Sequence, residues 1–396
     1  MPCMTMATRP SLAQELNSPA TLRMLGIIAL FLGILILVLR PLAFPNEPYL
    51  WGGDYTTFWT GSWLAQHGEL ARLYGTKMLT HIPGLSVPAA PWFYPPTMLL
   101  AVYPAASLPF LLSYGIFCVI ALTAAIAAWR IGKFSKLHLL LLLAAPAVLL
   151  NLLYGQNGVL TAAFWCIGLT LLPTHAFLAG ALLGLTTVKP QLAILLPFLL
   201  LASRNLEAFT GFALTSFALI AGSFALFGMQ PWLDFLTTLS GVSQLLESGK
   251  VIDVSKIGSL YIAARLAGAG FAEAMLLHAA LALAAFVFCL HAWSRTDLSH
   301  GHKAAIALIT ALLLTPYQFV YDLALLLPAM AFWQTASAGK LDGTDRLTLW
   351  LLWIAPFISQ AGIVAFGVGL LPAVLVLALW RLHAGSIMSA RARLSL

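Results

Sequence analysis

Apolar residues in this chain come in runs, separated by little more than a few polar or charged positions. The first, Leu22 to Leu39, is bracketed by Arg23 and Arg40. It follows a polar tail carrying Pro10 and Pro19 but no small-residue cleavage site, which predicts a retained first helix rather than a signal peptide. Further runs fall at about 107–129, 137–153, 157–172, 175–188, 190–203, 207–227, 271–293, 303–316, 319–336, 347–361 and 362–381. At roughly 20 residues per bilayer crossing, they predict an all-α polytopic membrane protein with about twelve spans, within about 10 to 13. No repeat, low-complexity tract or soluble domain interrupts the series. Residues 21–383 therefore read as a single membrane domain between an N-terminal tail, 1–20, and a C-terminal tail, 384–396.

Two pairs of runs are short for a bilayer. One pair meets at Lys189-Pro190 and the other between Pro316 and Asp322. Turns placed below a membrane surface are tolerated only where protein or a water-filled cavity satisfies the backbone, so a recessed hollow is expected there. In the polar segment 41–106, Asp54 is followed by Phe58, Gly61, Trp63 and Leu64 and then by Gly68, the pattern of an amphipathic helix lying along the membrane surface. Pro95-Pro96 then opens a short apolar piece, Thr97 to Tyr103, that Pro104 ends, which reads as a re-entrant segment.

Composition agrees with the pattern: 61% of the 396 residues are hydrophobic and 8% charged, with a mean hydropathy of +0.93. Soluble domains are about 45–50% apolar. The net charge of +7 does not point to nucleic acid, because the basic residues are scattered singly between apolar runs. Alternate threading places Arg23, Arg130, Lys133, Lys136, Arg204, Arg295, Lys303, Lys340, Arg346 and Arg381 on one side with both termini, the cytoplasmic side by the positive-inside rule. The long polar segments 41–106 and 228–270 then fall outside, with Glu47, Asp54, Glu69, Asp234, Glu247 and Asp253. The four cysteines have no paired spacing, and none of the nine histidines shows ligand spacing with a carboxylate partner. Neither a metal nor a cofactor is expected, and no nucleotide-binding or hydrolase motif is present.

Five places carry polar chemistry in this setting. Asp54 sits in Gly52-Gly53-Asp54-Tyr55-Thr56-Thr57-Phe58-Trp59, where it is either a helix N-cap or a base at the membrane boundary, and the two roles are compatible. Lys189 lies within Leu182 to Leu201, where an unpaired cation costs about 2.5–3.5 kcal/mol. It therefore has either Asp322 as an ion-pair partner or a phosphate as its ligand. In Thr315 to Asp322, Tyr317 and Tyr321 are one helical turn apart beside that acid, as in a binding-site wall. In Tyr154-Gly155-Gln156-Asn157 a tight turn explains the glycine and asparagine, whereas Gln156 has no turn role. The run Trp92-Phe93-Tyr94-Pro95-Pro96 reads by default as an interface belt.

Taken in order, Asp54-Tyr55-x-x-Phe58-Trp59, Gly68, Leu73-Tyr74, Tyr94-Pro95-Pro96, Gly155-Gln156-Asn157, Lys189-Pro190-Gln191 and Thr315-Pro316-Tyr317 to Tyr321-Asp322 resemble glycosyltransferase family 87. That family includes the mycobacterial polyprenol-phosphate-mannose-dependent alpha-1,2-mannosyltransferases. The resemblance spans about residues 22–380 and implies a GT-C-like fold in a bacterial inner membrane, with an outward-facing site. It implies that Asp54 is the base for an acceptor hydroxyl, on a lipid or a glycan. The donor is then a polyprenyl phosphate sugar, with inversion at the sugar carbon. Lys189 is the candidate for the leaving phosphate, Arg265 a weaker one, and Tyr94, Gln156, Asn157, Gln191, Tyr317, Tyr321 and Asp322 would contact substrate. The mycobacterial members carry histidine where this chain reads Tyr321-Asp322, so that histidine's role does not carry over.

Two other classes stay open on the residues alone. Lys189, Asp322 and broken helices are also what a secondary transporter or lipid flippase uses, although the internal repeat of such proteins is missing. A structural or assembly protein would use Asp54 only as a cap.

Overall fold

The computed structural model describes residues 18–43, 52–74, 92–248, 257–337, 340–360 and 370–383. Residues 1–17 and 384–396 of the expected tails and much of both long polar segments, including Glu47, Asp253 and all of 75–91, lie outside the described residues. Among those described, the only β-type pairing is an isolated bridge between Ile257 and Phe319, and the rest of the regular structure is helical.

Among the described residues, four helices are long and apolar enough to cross a membrane: α1 (Pro19–Ala43), α4 (Phe110–Ile131), α11 (Leu206–Phe227) and α14 (Phe271–Ser294). Between α1 and α4 stand α2 (Tyr55–Gln66) and α3 (Thr97–Val102). A fifth crossing forms if α5 (Lys136–Leu143) and α6 (Pro146–Tyr154), bent by 44°, count as one. Pro146 causes the bend: it holds Ala145 extended and starts α6 without needing a backbone donor. The chain is thus a helical membrane protein, with four or five helices long enough to cross among the described residues where the sequence predicts about twelve spans. The remaining apolar runs form α7 (Gly158–Leu171), α8 (Ala176–Gly184), α9 (Pro190–Ala193), α10 (Leu195–Ala202), α15 (His300–Leu313), α16 (Leu326–Ala336), α17 (Gly343–Gln360) and α18 (Leu370–His383). α12 (Gln230–Ser248) and α13 (Leu260–Leu266) complete the set.

Burial sorts the helices into a centre and a rim. α15 is buried from Ala304 to Leu313 and α16 from Leu326 to Trp333. With α7 and α10 they form the main core. The long helices α1, α4, α11 and α14 instead expose large apolar side chains such as Phe31, Val119, Phe217 and Leu276. An apolar outer surface of that kind is stable only against lipid. α8 and α11 approach closely because they meet at glycines: a Cβ on Gly180 would lie 1.8 Å from the carbonyl oxygen of Ala208, and one on Gly211 would lie 2.2 Å from that of Phe177.

Two expectations for the first polar segment fail on burial. α2 does start after Asp54, but Tyr55 to Ser62 and Leu64 are all buried. It is therefore an interior helix rather than an amphipathic helix on the surface. Trp92, expected in an interface belt, is fully buried, and only its neighbour Phe93 is exposed. Both corrections have one cause. α2, the Trp92–Tyr94 turn, α3 and the start of α4 pack into a second aromatic core around Tyr55, Phe58, Trp59 and Trp92, which covers the face that the sequence pattern leaves polar.

Candidate active site

The entry to α2 is fastened to the end of α6. Gly52 N–H donates to the Leu153 carbonyl at 2.9 Å and Asp54 N–H to that of Tyr154 at 3.0 Å. α6 ends in a left-handed Gly155 (φ 71°), with Gln156 N–H reaching back to the Asn151 carbonyl at 3.0 Å, the glycine cap that closes a helix. A Cβ on Gly155 would lie 2.6 Å from that of Tyr55 and 3.2 Å from the Gly52 Cα. Only glycine supplies both that backbone angle and that approach. The Asp54 segment and the Gly155-Gln156-Asn157 turn, about 100 residues apart in sequence, are thereby pressed together.

Asp54 occupies the N-cap position of α2, yet its side chain makes no capping hydrogen bond. The carboxylate turns toward Gln156, whose Nε2 donates to Oδ2 at 3.1 Å. The Gln156 Oε1 accepts from the Tyr94 hydroxyl at 3.0 Å. Tyr94 is itself held by its carbonyl, which accepts from the Tyr74 hydroxyl at 2.9 Å and from the Trp92 indole at 2.7 Å. Burial first, then the negative charges of Asp322 and Asp54, holds the Tyr94 phenol well above the ordinary tyrosine range, so it stays a donor. Among the described residues, the space beside Gly53 is open: a Cβ built there meets no atom within 4 Å.

The second part of the site is an ion pair. Lys189 Nζ lies 2.5 Å from Asp322 Oδ1, with both side chains almost fully buried. Pro190 keeps Lys189 out of helical backbone (φ −121°, ψ 78°) between a short 3-10 turn and α9, and this break turns the lysine inward. Nζ lies 6.0 Å from the Tyr94 ring centre and 5.1 Å from that of Tyr321. Tyr94 therefore joins the two halves, with its hydroxyl on Gln156 and its ring near Lys189. Of the two partners that the sequence allows for Lys189, this structure contains Asp322.

Other expected residues separate into two groups. Tyr321 is buried beside Lys189 and stacks on Phe319, with ring centres 5.0 Å apart. Asn157 is buried, with its Nδ2 on the Met98 sulfur at 3.8 Å and its Oδ1 without a partner among the described residues. Tyr317, by contrast, packs with Ile257, Tyr261 and Phe271 in a separate cluster, because Thr315 to Tyr321 forms turns rather than the helix that would align it with Tyr321. Gln191 is exposed on α9. Arg265, in the last turn of α13, donates to the Ala269 carbonyl at 3.3 Å.

One site residue escaped the sequence reading. Asn151, buried in α6, donates to the carbonyls of Ala147 and Tyr321, both at 2.8 Å, and accepts from Val159 N–H at 3.2 Å. It ties the Gln156 turn to the Asp322 segment. An asparagine alone in the apolar run 137–153 was the available signal, since a buried amide demands partners. A cavity of about 400 Å3 lies away from these turns, lined by Trp129, His138, Arg346 and Trp353, at the other end of α4 and α5. Among the described residues no group of three or more His, Cys, Asp or Glu could hold a metal ion.

A membrane-embedded bundle with a buried lysine–carboxylate pair and a second, partly open carboxylate held by an amide defines a helical membrane protein with a polar site at one end. The sequence profile of glycosyltransferase family 87 matches residues 92–316, and the chain belongs to that family. It is a glycosyltransferase, which acts between a sugar donor and an acceptor. The match contains Tyr94, Gln156, Asn157, Lys189, Gln191 and Arg265, whereas Asp54, Tyr317, Tyr321 and Asp322 lie outside it. No curated protein and no solved structure matches the chain.

Proposed function

We propose that this glycosyltransferase moves a sugar, mannose on the resemblance, from a polyprenyl phosphate to a hydroxyl of a lipid or glycan at the outer face of a bacterial inner membrane. It uses a GT-C-type arrangement in which the shorter helices complete about twelve crossings. The observation that carries the reading is the Asp54 carboxylate, which is withheld from the cap it is placed to make and is fixed through Oδ2 by Gln156.

In this mechanism Asp54 takes the acceptor's hydroxyl proton as that oxygen attacks the anomeric carbon. The new glycosidic bond forms while the bond to the phosphate oxygen breaks, so the configuration inverts in a single displacement. The leaving phosphate carries away the electron pair. Lys189 stabilises it, since only one of its three ammonium donors is committed to Asp322, and the phenols of Tyr94 and Tyr321 line the same place.

Full-length protein purified in detergent, supplied with a short-chain polyprenyl phosphate mannose and a lipid acceptor, is expected to transfer mannose. Asp54→Asn and Asp54→Ser, both competent caps, are expected to insert and elute normally and to lose at least about 10²-fold of transfer. Transfer near the parent's rate by either variant would remove Asp54 as the base. Absence of transfer by the parent, together with donor movement across vesicles, would favour a flippase, the reading that the Lys189–Asp322 pair and the broken helices also suit.

A further inference from the structure

The cavity of about 400 Å3 lies within the range of about 300–1,000 Å3 of small-molecule sites. It is far from Asp54. α4 measures the separation: Tyr114, beside Gly52 and Tyr55, and Trp129, in the cavity wall, are fifteen residues apart, or roughly 22 Å at 1.5 Å per residue. Its wall is mainly apolar, with the rings of Trp129, Trp350 and Trp353 prominent. The indole N–H of Trp353 is spent on the Leu141 carbonyl at 3.0 Å and that of Trp129 on the Ser135 carbonyl at 3.3 Å. His138 and Gln334 also line it. A sugar would find few partners in such a wall, whereas a hydrocarbon chain fits it.

Arg346 is the cation of the wall. Its Nε donates to the Leu341 carbonyl at 3.3 Å, and among the described residues it has no carboxylate partner. The nearby acids are already taken, because Arg381 pairs with both Asp345, at 2.7 Å, and Asp342. An arginine left without an acid beside an apolar cavity is complementary to a phosphate ester carrying an acyl chain.

We propose that this end of the bundle binds one anionic phospholipid, with an acyl chain in the tryptophan-lined cavity and its phosphate on Arg346. The site is separate from the transfer chemistry and does not depend on it.

The test uses full-length protein, delipidated in detergent and incubated with phosphatidylglycerol or with phosphatidylcholine of the same chains, followed by native mass spectrometry. One phosphatidylglycerol is expected to stay bound, retained about fivefold better than phosphatidylcholine, the contribution of one basic residue at a lipid surface. Arg346→Gln is expected to erase that preference and Arg346→Lys to keep it, which separates loss of charge from failure to fold. Equal retention of the two lipids, or a preference that survives Arg346→Gln, would overturn the proposal. So would a thermal midpoint raised as much by inorganic phosphate alone as by phosphatidylglycerol.

Discussion

At the Asp54 end, four separate parts of the chain are hydrogen-bonded to one another, from the Tyr74 hydroxyl on the Tyr94 carbonyl, through the Tyr94 phenol on Gln156, to Asp54. At the Arg346 end, three tryptophans surround a space of about 400 Å3 whose polar groups are few. The first end fixes the direction of each group and the second provides room. A reaction that must aim a carboxylate at one hydroxyl needs the first arrangement. Holding a flexible chain needs the second, because an apolar wall makes no directional demand.

The largest effect that would test this contrast is on catalysis. Asp54→Asn is expected to lower transfer by about 10²–10⁴-fold, the usual contribution of a general base, while lipid retention at the Arg346 end stays unchanged in native mass spectra. If both fall together, the two ends are not independent. Next comes the buried pair. Asp322→Leu strands a cation and is expected to cost about 3–5 kcal/mol in thermal unfolding. Lys189→Met combined with Asp322→Leu is expected to recover most of that loss and still to transfer nothing. Equal instability of the single and double variants would mean that the pair does not govern folding at this end.

Smaller effects sharpen the account of how Asp54 is aimed. Gln156→Ala removes a hydrogen bond to a charged group and is expected to reduce transfer by about 10- to 100-fold, chiefly through kcat, with the melting curve little changed. Gly155→Ala is expected to cost about 1–3 kcal/mol of stability through its left-handed backbone and its clash with Tyr55, as circular dichroism melts would measure. The smallest effect belongs to the other end. The backbone N–H of Asp345, and then Arg381, hold the Asp342 carboxyl below the ordinary range. That contribution is complete above the unfolded carboxylate's titration and is lost as the pH falls through the lowered one. Asp342 is largely exposed, so Asp342→Asn is expected to remove only about a few tenths of a kcal/mol, with no change in transfer at neutral pH.

The apolar runs placed the helices well. The runs at 207–227 and 271–293 became α11 and α14 almost residue for residue, because in lipid each segment must satisfy its own backbone. The Lys189–Asp322 pair was legible for a related reason: two charges in apolar runs have few stable choices but each other. Other features were not legible. The 3.6-residue pattern of α2 looked half-exposed, since nothing local announces that Trp92 and α4 will cover its polar face. Tyr317 seemed to share a face with Tyr321 until turns replaced the helix, and Asn151 was hidden in an apolar run.

The sequence by itself determined that the chain is a helical membrane protein and where it breaks, through apolar run length and proline, both of which act within a few residues. The tertiary structure alone decided that Gln156 reaches Asp54 across about 100 residues of chain, and that Arg346, beside a cavity, has no acid partner among the described residues. Such contacts depend on which helices pack together, and that is a property of the whole core rather than of any segment in it.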